Sequence, residues 1–154
     1  MKKYLFIAIL AGIAIVNAAY LSWEAYQIVY LNTDTARIFS ICDINSTFSC
    51  TSALDSAYSR PFGIPFPFVA LAVYPVLLLL ALLGYIQRSY GYAKALAVLS
   101  FMGMCFNGYI IYMETFYIHA FCPLCLLCSA IIITIFITSL WILSEKKILP
   151  VRAI

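Results

Sequence analysis

Six cysteines are the residues of this chain best suited to chemistry, and four of them fall into two pairs. Cys122 and Cys125 form a C-P-L-C motif, while Cys42 and Cys50 stand in a polar stretch with seven residues between them. Thiols three positions apart at a helix start share one face and can close a disulfide. Pro123 suits the first helical position, whose amide would have no intrahelical partner. The free amides of that turn and the positive end of the helix dipole favour a thiolate. Cys125, entering hydrocarbon, is placed to meet an apolar oxidant, and Cys122, nearer water, to meet another thiol. Two cysteines at this spacing in an apolar helix are also common as packing. A second pair on the same side of a membrane turns the reading toward electron transfer.

The remaining polar residues have quieter alternatives. Cys122, Cys125 and Cys128 read together as C-x2-C-x2-C, part of an iron–sulfur ligand run, but a fourth close cysteine is missing, so no metal is expected. Cys128 and Cys105 are expected to pack as small hydrophobes within their helices. His119, one turn before the motif, is expected to be solvated; tuning a thiolate or protonating a reduced quinone is its functional alternative. Asn107 lies mid-span and is expected to make an interhelical hydrogen bond, with a quinone contact as the other reading. Asn45-Ser46-Thr47 fits a glycosylation acceptor, a short pattern with many chance matches.

The elements that hold these residues are set by composition. Of 154 residues 66% are hydrophobic and 10% charged, and the mean hydropathy of +1.03 lies far from that of a water-soluble chain. Four stretches, at about 4–23, 64–87, 95–118 and 122–143, reach the roughly 20 apolar residues that a spanning helix requires. The expected fold is an all-α membrane protein, a single domain over 1–154: a four-helix bundle capped by an extracytoplasmic loop at 24–63 with a short helix. Lys2, Lys3 and the small residues around Asn17 resemble a cleavable signal. Apolar residues continuing through Leu21 and Trp23 favour a retained helix.

Lysine and arginine accumulate on the cytoplasmic side of membrane proteins. Four spans put both termini together, so Lys2, Lys3, Arg88, Lys94, Lys146, Lys147 and Arg152 share one side with Glu145 alone among the acids. Arg37 and Arg60 share the other with Glu24, Asp34, Asp43, Asp55 and Glu114. The formal charge of +3 thus divides into +6 inside and −3 outside. That division argues for cytoplasmic termini and outward cysteines and offers no basic patch for nucleic acid. Within the cap, Thr51 to Asp55 are expected to form a short helix, with Leu54, Ala57 and Tyr58 along the membrane surface. Pro75 is expected to kink the second span.

Taken in order, these features resemble the vitamin K epoxide reductase family in its short prokaryotic form, without a fused thioredoxin-like domain. The resemblance is carried by Cys42-x7-Cys50, Ser56, the G-I-P at 63–65, Tyr74 and C-P-L-C at 122–125, and covers Cys42 to Ser129. It implies a bundle around a quinone (ubiquinone, menaquinone or a related lipid), with Cys122 and Cys125 as the active-site pair and Cys42 and Cys50 as a shuttle. In such a protein Cys125 reduces the membrane quinone, Cys122 exchanges with Cys50, and Cys42 takes electrons from a thioredoxin-fold, DsbA-like carrier outside the membrane. Ser56 would hydrogen-bond near the active-site pair, and Phe66, Tyr74 and Asn107 would help to bind the quinone. Phe66 and Ser129 replace an asparagine and a tyrosine of some animal members, which separates this chain from a demonstrated epoxide reductase. The implied role is oxidation of thiols for disulfide formation. Quinone or quinone-epoxide reduction as the main role, and a non-enzymatic membrane module with static disulfides, are the alternatives.

Overall fold

A computed structural model describes residues 2–31, 43, 45, 49–56, 60, 63–119 and 121–148. Helix α1 spans Lys2–Tyr30, α2 Cys50–Asp55, α3 Phe66–Gln87, α4 Tyr90–Met113 and α5 Pro123–Ile148, with a π-helical turn at Glu114–Ile118 continuing α4. Among the described residues, four helices, counting α4 and its π turn as one, are long and apolar enough to cross a membrane. The protein is a multi-pass, all-α membrane protein. Neighbours follow in a closed ring in which α1 packs on α3, α3 on α4, α4 on α5 and α5 on α1.

Helix–helix contact in lipid depends on close approach by small side chains, because lipid tails are as apolar as leucine. Ala8, Ala11, Ala14 and Ala18 place such a stripe on the buried side of α1. Gly84 of α3 lies under the Tyr4 ring, where an added Cβ would stand 2.5 Å from Tyr4 Cε1. The core forms two clusters. The larger, around Ile7, Leu77, Leu96 and Ile135, fills the bundle; the smaller joins Leu21, Ala25, Leu54, Phe66 and Ile110 to Cys50, Cys122 and Cys125. Lipid-facing positions remain apolar, as at Leu79, Met102 and Ile137. At the end away from the motif, Lys3 Nζ meets Glu145 Oε1 at 2.5 Å and lies 3.7 Å from the centre of the Trp141 ring.

Helix α1 runs to Tyr30 rather than stopping near residue 23. Its extra turns bury Ala25 and Ile28 against the cap, and Tyr20 donates to Glu24 at 2.5 Å one turn earlier, supporting an acid inside the helix. The short cap helix is present, but Leu54 is fully buried against the bundle instead of lying along a membrane surface. Ala57 and Tyr58 fall outside the described residues. Pro75 lies within α3, and Pro65 precedes its first turn.

Candidate active site

The C-P-L-C motif opens α5, with Cys122 just before the helix and Pro123 as its first residue. The Cys125 and Leu126 amides donate to the Cys122 carbonyl at 3.0 and 3.1 Å, closing that first turn. Facing it is α2, whose entry is fixed by Ser49. The Ser49 side chain accepts from the Ser52 amide at 3.1 Å, capping the helix, and the Ser49 amide donates to the Phe121 carbonyl at 3.1 Å. One backbone bond therefore joins the residue before Cys50 to the residue before Cys122.

Its consequence is a sulfur contact. Cys50 Sγ and Cys122 Sγ lie 2.8 Å apart, and both residues are fully buried. That separation lies between the roughly 2.05 Å of a bonded pair and ordinary van der Waals contact. Cys50 is in a disulfide, whereas Cys122 and Cys125 are free thiols. Thiol–disulfide exchange proceeds by approach of one sulfur to another of this kind.

Cys125 faces a different environment. It lines a cavity of about 240 Å³ with Phe66, Tyr74, Phe106, Asn107 and Cys128, and the rest of the lining is apolar. A dry apolar cavity of about 150 Å³ accepts benzene, so this one has room for a substituted ring. Asn107 Nδ2 donates to Ser129 Oγ at 2.7 Å, and Ser129 Oγ donates to the Cys125 carbonyl at 3.0 Å. The Asn107 amide keeps a second N–H that could meet a carbonyl in the cavity. Tyr74 donates to the Cys128 carbonyl at 3.4 Å. An apolar slot with one spare donor and a thiol beside it fits a quinone ring.

Phe66, Tyr74, Asn107 and Cys125 are thus brought to one cavity, and Cys50 and Cys122 to one contact. Ser56 is not on the cavity wall; it is the C-cap residue of α2. Cys42, Ser46 and Thr47 lie outside the described residues. His119 is exposed and closes the π turn with φ +56°, a left-handed conformation more tolerable for histidine than for branched residues. Cys105 is exposed on α4 and not packed as a small hydrophobe, which corrects the expectation for it. Among the described residues, no group of three or more His, Cys, Asp or Glu is arranged to hold a metal.

Two participants escaped the sequence reading. Asn17, grouped there with the small residues of a signal-like segment, donates to the Leu124 carbonyl at 2.9 Å and to Cys128 Sγ at 3.1 Å, pinning α1 to the motif helix. Glu114, counted as an outer surface charge, is 1% exposed at the start of the π turn. The signal in each case was a polar residue inside an apolar run, which in membrane segments marks a helix contact or a functional group.

Outside the spans, the Asp43 carboxylate organises the cap. Thr51 donates to it through its amide at 3.2 Å and its hydroxyl at 2.5 Å. Burial pushes the Asp43 carboxyl up, but donation from the Thr51 and Ser49 hydroxyls and the Thr51 and Cys50 amides outweighs this and holds it below the usual carboxylate range.

No individual curated protein matches the chain with significance. Residues 5–140 match the sequence profile of the vitamin K epoxide reductase family. With that match running through all four spans and both halves of the sulfur site, the chain belongs to the vitamin K epoxide reductase family, whose members carry out quinone-linked redox chemistry.

Proposed function

We propose that this protein is a quinone-dependent thiol oxidoreductase that passes electrons from an extracytoplasmic thioredoxin-fold carrier to a membrane quinone and so supports disulfide formation. The observation that carries this reading is the two-sided motif: Cys122 meets Cys50 at 2.8 Å while Cys125 lines the apolar cavity. Static disulfides would give no reason for a second pair of free thiols to touch a disulfide at one end and a cavity at the other.

The electron path follows from these contacts. A carrier dithiol reduces the disulfide of Cys42 and Cys50 through a mixed disulfide at Cys42. Cys50 thiolate then attacks Cys122 in the oxidised motif, forming the Cys50–Cys122 bond and releasing Cys125 as thiolate. Cys42 thiolate then closes on Cys50, breaking the Cys50–Cys122 bond and releasing Cys122 as thiolate, and the Cys122–Cys125 disulfide re-forms as the two thiolates together give up one electron pair at the cavity. A bound quinone supplies the acceptor for two electrons and two protons. The hydrogen bonds between Asp43 and Thr51 join the residues that follow Cys42 and Cys50, which supports their working as one pair. The charge division along the sequence supports cytoplasmic termini and an outward-facing cysteine end.

Stopped-flow mixing of purified, lipid-extracted protein with a reduced thioredoxin-fold protein and a short-chain quinone tests this function. Quinone reduction should depend on both cysteine pairs. Reduction unchanged in Cys122→Ser, or disulfides that ignore both quinone and mild reductant, would contradict it.

A further inference from the structure

Glu114 is the most deeply buried carboxylate among the described residues, at 1% exposure, and neither of its oxygens has a hydrogen-bond partner. Leaving such a group unpaired is costly, and its persistence calls for a role. Its position supplies one: the Cys122 amide and the Cys125 thiol both face it. The turn that carries it is π-helical, a departure from regular helix common at functional sites. It directs Glu114 inward while Phe116 and Tyr117, two and three residues on, are exposed.

We propose that Glu114 is the proton acceptor for the Cys125 thiol, an assignment that rests on the thiol-oxidising function proposed above. Cys125 is only 1% exposed, so bulk water cannot take its proton directly. In the step assigned to Glu114 the Cys125 S–H bond breaks, an O–H bond forms on the carboxylate, and no electrons are transferred. The electron pair left on sulfur goes to the quinone in the following step. When the motif is reduced again Cys125 leaves Cys122 as a thiolate, and the same proton returns from Glu114 to that sulfur, restoring the thiol for the next cycle. The carboxylate is not on the cavity wall, so it serves the thiol from outside the space a ring would fill.

Among the described residues no other group in its surroundings competes for this role. From the motif, the titratable groups facing Glu114 are Cys122 and Cys125 themselves. Helix α2, packed on the π turn, brings Cys50, held in a disulfide, and Asp55, which lies 4.0 Å from Arg60 at the surface. Tyr109 and Tyr112 of α4 are exposed, as is His119 beyond the turn. On α1, which also packs on α2, Glu24 is bonded by Tyr20.

The test is the pH dependence of Cys125 alkylation by N-ethylmaleimide in the fully reduced Cys122→Ser background, read from the mass of the Cys125 peptide. Glu114→Gln preserves shape and removes an unpaired buried charge, so it should fold at least as stably as its parent. It should nevertheless slow alkylation about a hundredfold near neutral pH, the scale of a lost general base, and the gap should close as pH rises. Glu114→Asp, which keeps the carboxylate, should retain the parent's pH midpoint at a reduced rate. An unchanged rate and pH profile in Glu114→Gln would overturn the assignment, as would a Glu114→Asp midpoint displaced upward; the second criterion decides alone if the Gln variant fails to assemble. Alkylation requires no quinone, so a protein that reduces no quinone would defeat the proposed function while leaving this result readable.

Discussion

The Ser49 amide donates to the Phe121 carbonyl at 3.1 Å, and on either side of that bond Cys50 and Cys122 bring their sulfurs to 2.8 Å. The cap is therefore fixed to the bundle at the point where electrons would cross between them. Its position there rests on the polar contacts around α2 together with the burial of Ala53 and Leu54 against the bundle.

Acid should loosen it first at Asp43. Because the folded carboxyl is held below its ordinary range, its contribution is complete above the unfolded value of about 3.9 and is lost as pH falls through the lower folded value. Hydrogen exchange at the Thr51 amide should accelerate beyond its intrinsic pH dependence across that acidic window, and Asp43→Ala should show the acceleration already at neutral pH. Equal protection of Thr51 in the variant and its parent at neutral pH would remove the clamp.

Asn107→Leu should weaken quinone binding without disturbing exchange between the cysteine pairs. Losing one carbonyl hydrogen bond costs about 1.4 kcal/mol, roughly a tenfold rise in KM for the quinone. The rate of Cys50–Cys122 exchange should stay within twofold of the parent by quenched-flow trapping. A fall in kcat with an unchanged KM would place Asn107 outside the quinone contacts.

At the opposite end of the bundle, Gly84→Ala should lower stability and leave thiol exchange alone. The new Cβ would stand 2.5 Å from Tyr4 Cε1, and moving that ring also disturbs its hydroxyl bond to the Ser89 carbonyl, 3.0 Å long. Overpacking of this kind costs about 1–3 kcal/mol. Denaturation in detergent would measure it, and a stability equal to the parent's would show that Tyr4 relaxes freely.

The bundle was legible because a spanning helix announces itself by twenty apolar residues in a row, a signal that hardly depends on tertiary contacts. The ends of α1 were not, because its continuation to Tyr30 rests on Glu24 finding Tyr20 and on Ala25 and Ile28 finding the cap. Cys122 and Cys125 declared themselves by spacing, and Asn107 by polarity in mid-span. Glu114 was obscured because a short connection and a nearby surface place it among outer charges, and only the π turn shows which way its side chain points. Cys105 failed for the converse reason: a helix apolar on every side does not reveal which side faces lipid.

Peptide mapping of trapped mixed disulfides reads out whether Cys122 faces the cap while Cys125 faces the cavity. Under mild oxidation the Cys125→Ser variant should accumulate a Cys50–Cys122 crosslink, and the Cys122→Ser variant should give little or no Cys50–Cys125 crosslink. A dominant Cys50–Cys125 bond in the latter, with Cys122 unlinked in the former, would reverse the two roles.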